Sequence, residues 1–266
     1  MDGIALFGAT GKMGRAILPL LAASDQLMLT GALASPGNPA IGQDAGSVAG
    51  LFPLGVAVTD DPDRALAGAR VALDFTRASA SLTHARACAR RGVSVVIGTT
   101  GHDEAARREL GDLARSVAVV LAPNLSLGVN LLLRLAEVAA GALPEYDAEI
   151  FEAHHRDKAD APSGTALALG ETVARARGTS LDRSAVYTRR GDTGPRADGA
   201  IGFSVVRAGD IVGEHRLVLA GPGERVELAH LAQDRSGFAR GALAAARWLA
   251  QGRRPGFYAM KDVLGL

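Results

Sequence analysis

The chain has 266 residues, 48% of them hydrophobic, enough for one large domain or two modest ones with packed cores. Its 29 basic and 28 acidic residues leave a net charge of +1, which excludes nucleic acid or a membrane surface as a charge-driven partner and makes any charge-based function local. The one cysteine, Cys88, excludes an internal disulfide and a cysteine-based zinc site and fits a cytoplasmic protein; with no signal-peptide pattern and no membrane-length apolar run, neither export nor membrane insertion is expected.

In chain order, residues 4–7 predict a short buried strand, after which Gly8-Ala9-Thr10-Gly11-Lys12-Met13-Gly14 turns into a helix over 15–23. Strands follow at 28–33, 71–75, 93–97 and 117–121, separated by alanine-rich helices at 78–91 and 103–115. This alternation predicts an α/β fold opening with a Rossmann-like, doubly wound parallel sheet. The rhythm then changes: a helix over 129–142, a strand over 148–153, a basic cluster, and a helix over 164–177. The Arg-, Gly- and Asp-rich stretch 181–199 reads as a loop. Strands at 201–207, 214–219 and 225–231, joined by Ala208-Gly209-Asp210 and Gly221-Pro222-Gly223, suggest antiparallel pairing in a second, α+β domain with a mixed or antiparallel sheet. A helix over 237–249 returns to the first style, so the expected domains are 1–125 with 236–266, and 126–235.

A glycine cluster that follows a strand and opens a helix suits a dinucleotide, because small residues let the backbone approach a pyrophosphate whose charge rests on the helix N-terminus. Beyond the second strand, Ala34-Ser35-Pro36 offers neither the acid that would grip a ribose 2′-hydroxyl nor an arginine. With Lys12 and Ser35 nearby this tilts the expectation toward NADPH, while NADH stays open. The strand ends Gly98-Thr99-Thr100-Gly101 and Ala122-Pro123-Asn124 are further candidates for the cofactor edge, since ligands of such sheets bind beyond the carboxyl ends of the strands.

The densest chemistry lies in Glu152-Ala153-His154-His155-Arg156-Asp157-Lys158-Ala159-Asp160-Ala161-Pro162-Ser163-Gly164-Thr165, where two imidazoles, a guanidinium and an ammonium precede a helix start. A histidine, with an ordinary pKa of ~6.5, can give or take a proton at neutral pH, and a lysine, at ~10.4, is a cation there. Such a cluster suits an anionic substrate that needs a proton, with backbone N–H groups and the helix dipole adding to the positive field. No metal is expected, because adjacent His154 and His155 on a strand would face opposite ways. His215 and His230, in later strands, read as packing or hydrogen-bonding residues.

Together with Asp74-Phe75-Thr76, Arg207-Ala208-Gly209-Asp210-Ile211-Val212-Gly213-Glu214-His215 and the terminal Met260-Lys261-Asp262-Val263-Leu264-Gly265-Leu266, these segments closely resemble the 4-hydroxy-tetrahydrodipicolinate (dihydrodipicolinate) reductase family of bacterial lysine biosynthesis. The resemblance implies reduction of a small cyclic dicarboxylate with NADPH or NADH on the diaminopimelate route. It implies His154 as proton donor or acceptor and Lys158 as a second acid. Substrate contacts would come from His155, Ser163, Gly164 and Thr165. Gly8, Ala9, Thr10, Gly11, Lys12, Met13, Arg77, Gly98, Thr99, Thr100, Ala122, Pro123, Asn124 and Leu125 would line the cofactor, and the residue reading at the end of the second strand adds Ser35. The family's acid and arginine after the second strand fall on Ala34 and Ser35, so those two contacts do not carry over. Homotetramers built through the second domain's sheet are also implied. The reading as a whole expects Gly11 and His154 to border a common crevice. The rival readings are another two-domain amino-acid dehydrogenase, such as one acting on aspartate semialdehyde, and a non-catalytic NAD(H)-sensing regulatory protein, which would need neither His154 nor Lys158.

Overall fold

The computed structural model describes residues 1–234 and 236–266, which form two compact units, Met1–Leu127 with Ser236–Leu266, and Gly128–Arg235. The elements run β1 (Asp2–Phe7), α1 (Lys12–Ala22), β2 (Leu27–Leu33), α2 (Ala45–Val48), β3 (Val58–Thr59), α3 (Pro62–Ala65), β4 (Val71–Asp74), α4 (Ala78–Arg91), β5 (Ser94–Ile97), α5 (Glu104–Leu113) and β6 (Ala118–Leu121). Then come α6 (Leu127–Ala142), β7 (Asp147–His154), α7 (Gly164–Ala176), α8 (Leu181–Ser184), β8 (Ala185–Val186), β9 (Ile201–Arg207), β10 (Gly213–Gly221) and β11 (Glu224–Ala232). The chain closes with α9 (Ser236–Ala250), β12 (Gly256–Tyr258) and α10 (Met260–Leu264).

In the first unit the strand order is β12-β6-β5-β4-β1-β2-β3, and every pair is parallel. Because side chains alternate along a strand, β1 sends Ile4 and Leu6 into a core shared with α1 and α9, and Ala5 and Phe7 into a second core shared with α4 and α5. Burial on both faces explains why these strands read as continuous apolar runs. Helix ends are fixed locally: Asp103 accepts from Ala106 N at 2.7 Å to start α5, and Gly92, at φ 67°, ends α4. The connections reverse direction between β1 and β4, so the loops after these two strands open a crevice at the carboxyl edge of the sheet.

The second unit holds a mixed sheet of order β11-β10-β7-β9-β8. One face packs through Ile150, Leu217 and Leu219 against α6 and α7, with Leu132, Leu169 and Val173 at the centre. By the alternation of β7, Glu152 and His154 share that face with Ile150, beyond the apolar core and toward the start of α7. Among the described residues no helix is long and apolar enough to cross a membrane.

The expected pairing of 201–207 with 214–219 does not form. Here β7 lies between them, parallel to β9 and antiparallel to β10. The Ala208-Gly209-Asp210 segment instead crosses the end of β7, with Ala208 N donating to His154 O at 2.9 Å and Arg156 N to Gly209 O at 3.1 Å. The Gly221-Pro222-Gly223 hairpin does form between β10 and β11, with Gly223 at φ 81°. The 181–199 stretch begins with α8 and β8 before becoming irregular. The short α2, β3, α3, β12 and α10 have too few residues for a readable period.

Gly31 of β2 lies where a Cβ would collide with the Ala65 carbonyl of α3, whereas a Cβ on Gly111 of α5 meets nothing within 4 Å. In urea denaturation Gly31→Ala should lose about 1–3 kcal/mol, and Gly111→Ala should gain ~0.5–1 kcal/mol. Equal effects would contradict this packing.

Candidate active site

At the β1–β4 crevice the glycines are held to their positions by backbone. Gly8 sits at φ 81° with its missing Cβ aimed at the Phe75 carbonyl, and a Cβ on Gly14 would strike the Gly8 and Ala9 carbonyls. This close cradle admits a pyrophosphate backbone-first, and the N–H groups of the first turn of α1, which Gly11 caps and where no acidic side chain stands, face anionic charge favourably. A cleft of about 700 Å³ opens here, and Gly8, Thr10, Gly11, Ser35 and Arg77 all line it. The other cofactor candidates do not. Ala9 and Thr99 are buried, Lys12, Thr100 and Pro123 are exposed, and Met13 packs against the core. A Cβ on Gly98 would meet the Phe75 ring and a Leu125 methyl, so Gly98 and Leu125 back the β4 loop. Ala122 is buried in the same core, and the Asn124 side chain accepts from Ser126 N at 2.9 Å.

The cleft also has walls that sequence reading missed. Asp60 follows β3, a strand of two residues, so an acid does reach this cleft even though the β2 end carries none. Thr76 and His84 line it too, and both are tied to Asp74 at the end of β4, a carboxylate with no exposed surface. Asp74 Oδ1 accepts from Thr99 Oγ1 at 2.6 Å, Thr76 Oγ1 at 2.8 Å and Thr76 N at 3.1 Å, while Oδ2 meets His84 Nδ1 at 2.8 Å. One buried group thus clasps the β4 loop, the β5 loop and α4 around the cleft.

In the second unit the centre is Glu152, whose side chain is 1% exposed. Its Oε2 lies 2.6 Å from His154 Nδ1 and accepts from Arg207 Nη1 at 2.8 Å; its Oε1 accepts from Arg207 Nη2 at 2.8 Å and from Ser163 N at 3.0 Å. Burial pushes the Glu152 carboxyl up, but Arg207, His154 and the Ser163 amide outweigh it and hold it below the ordinary range. His154 moves the opposite way: burial lowers its pKa, Glu152 offsets part of that, and Lys158 and Arg207 add to the lowering. Ser163 caps α7, accepting from Ala166 N at 3.2 Å, and its Oγ lies 2.9 Å from His215 Nε2. Burial first, then His154, push the His215 pKa down to about 4, so this ring is neutral at pH 7. The His154 and His215 rings stand edge to face at 5.1 Å, and a Cβ on Gly213 would press on His154 Nε2 at 3.1 Å.

The structure therefore gathers His154 and Ser163 about Glu152. Lys158 pairs with Asp160 at 2.7 Å and interacts electrostatically with His154. His155 and Thr165 are half-buried, and Gly164 is exposed at the first position of α7. Arg207 and the His215 contact were missed, because their partners lie 55 and 52 residues away in sequence. Glu152 was readable in principle: a carboxylate at the second position after Ile150 on a strand must share that residue's covered face. Among the described residues no cluster of three metal-ligating side chains occurs.

Residues 3–125 match the family described as dihydrodipicolinate reductase, N-terminus, and residues 128–264 match dihydrodipicolinate reductase, C-terminus. The chain belongs to the dihydrodipicolinate reductase family. Relatives named 4-hydroxy-tetrahydrodipicolinate reductase include one from Thiobacillus denitrificans, 57% identical over 99% of this chain and 98% of its own. Another, from Nitrosomonas europaea, is 53% identical over the same shares. A dipicolinate-bound dihydrodipicolinate reductase from Paenisporosarcina superposes with a TM-score of 0.81, 25% identity and 98% coverage of both chains. An aspartate semialdehyde dehydrogenase from Vibrio cholerae shares the fold alone, with a TM-score of 0.55 and 16% identity over 95% of this chain and 99% of its own. This reductase is an NAD(P)H-dependent oxidoreductase of the diaminopimelate route to lysine.

The pKa directions fix how stability of the reductase responds to acid. His154, His215 and His230 are all held below the ordinary histidine value, chiefly by burial, so the unfolded chain takes up protons first and stability falls as pH drops from about 6.5 toward 4. The lowered Glu152 stabilises in full above the ordinary glutamate value of ~4.3, and this is lost only as pH falls through its own lower one. Urea denaturation at pH 5 should therefore give a folding free energy about 1–3 kcal/mol below that at pH 7. Equal stabilities would contradict buried, neutral histidines.

Proposed function

We propose that the first unit binds the dinucleotide at the β1–β4 crevice and that the second unit binds the substrate and handles its proton at the Glu152–His154–Ser163 centre. The reaction is reduction of 4-hydroxy-tetrahydrodipicolinate to tetrahydrodipicolinate, with loss of water. Bound NAD(P)H supplies the hydride, delivered to an electrophilic ring carbon of a conjugated imine. Gly8, Thr10, Gly11, Ser35 and Arg77 contact the cofactor in the cleft, with Ala9, Lys12 and Met13 continuing the cradle, and the strand ends Gly98 to Thr100 and Ala122 to Leu125 at its edge. Arg77 and Asp60 place opposite charges on that cleft, in keeping with the use of either dinucleotide.

His154 gives or takes the proton that balances the hydride, and Lys158 serves as a second acid. His155 and the Ser163-Gly164-Thr165 start of α7 receive a substrate carboxylate, where the positive end of the helix dipole favours negative charge. The observation that carries this reading is the 2.6 Å contact between His154 Nδ1 and a buried carboxylate, which leaves Nε2 as the ring atom open to proton exchange. A redox sensor has no use for that arrangement. The face of the second sheet opposite α6 and α7 carries Leu231, 59% exposed, and joins copies of the chain into a homotetramer in the cytoplasm.

His154→Gln should lower kcat by about 10²- to 10⁴-fold and leave NAD(P)H affinity near that of the parent, whereas Lys158→Ala should damage both kcat and substrate affinity. A coupled assay from aspartate semialdehyde, pyruvate and the upstream synthase, read as loss of the reduced nicotinamide's absorbance, checks both. Unchanged turnover in both variants removes the assignment.

A further inference from the structure

We propose that Glu152 is the positioning residue of His154 and that Arg207, reaching across from β9, holds Glu152 in the ionised form that this task needs. The inference rests on the proposed role of His154 and deepens it. An ionised carboxylate only accepts hydrogen bonds, so each group around Glu152 must bring its own proton: Arg207 brings two, Ser163 N one and His154 Nδ1 one. The bidentate fork from Arg207 and the amide at the start of α7 pin the carboxylate plane, and the plane in turn pins the imidazole. The proton is thereby kept on Nδ1, and Nε2 is left for exchange.

A purely structural ion pair would be complete with Glu152 and Arg207 alone. The third partner is what assigns a function, because the same carboxylate that Arg207 grips lies 2.6 Å from the ring that handles the proton. The charged and titratable groups facing His154 are Glu152 on its own strand, Lys158 in the loop that follows, Arg207 on β9 and His215 on β10. Glu152 favours the imidazolium, while Arg207 and Lys158 oppose it. Glu152 and Arg207 therefore pull His154 in opposite directions.

The test is the pH dependence of kcat/KM for wild type, His154→Gln, Glu152→Gln and Arg207→Met, with thermal unfolding of each purified variant to confirm the fold. The limb that His154→Gln abolishes reports His154. In Glu152→Gln this limb should move to lower pH, and in Arg207→Met to higher pH, each by roughly one pH unit, with kcat in Glu152→Gln down about 10²-fold and the KM for NAD(P)H unmoved. If Glu152→Gln does not fold, Glu152→Asp replaces it. That variant keeps the charge and shortens the reach, so kcat should fall with the limb in place; wild-type kcat would overturn the proposal. Limbs that stay put, or move the same way in both variants, overturn it too, while loss of the limb in His154→Gln leaves the role of His154 intact. Wild-type turnover in His154→Gln overturns both.

Discussion

The ionised, buried carboxylate of Glu152 is the constraint around which the second unit's charged cluster is arranged. A charge with 1% of its side chain exposed survives only if charge-assisted bonds replace water, and removing one partner from such a pair costs roughly 3–5 kcal/mol. Arg207, His154 and the Ser163 amide meet that need from β9, β7 and the start of α7. The end of β7 and the start of α7 are thus tied at one point to β9, whose Arg207 lies 55 residues along the chain from Glu152. The neighbouring His215, held neutral by burial, sits beside His154 without adding a competing positive charge.

The first unit solves a related problem with Asp74. Here too a buried carboxylate collects donors from separate elements, Thr76 after β4, Thr99 after β5 and His84 in α4. In the second unit the carboxylate gathers a histidine, an arginine and a helix-start amide; in the first it gathers the wall of a cleft. Thr99 shows the difference between contact and support: it sits behind the β4 loop and holds Thr76 N at 3.0 Å rather than lining the cleft itself.

The parallel sheet was legible because its strands are apolar on both faces and its helices are strongly periodic, and the boundaries expected for α4 match those found. What failed was pairing. The short glycine-containing link after β9 looks the same locally whether its strands pair or are parted, and only β7, about fifty residues earlier, decides the matter. The two-residue β3 is below the length at which any period can be read, so Asp60 stayed hidden with it. At the candidate site, His154 and Lys158 stood out by local charge density, and family resemblance supplied their roles. Arg207 was quoted in a matching segment without one, since nothing local says that β9 lies beside β7.

Nitrogen-15 NMR of the histidine rings at pH 7 tests the account most directly. His154 should be neutral, with its proton on Nδ1 and a bare Nε2, because an ionised Glu152 can only accept. A proton on Nε2 with Nδ1 bare would mean that Glu152 is the protonated partner, and would contradict the account.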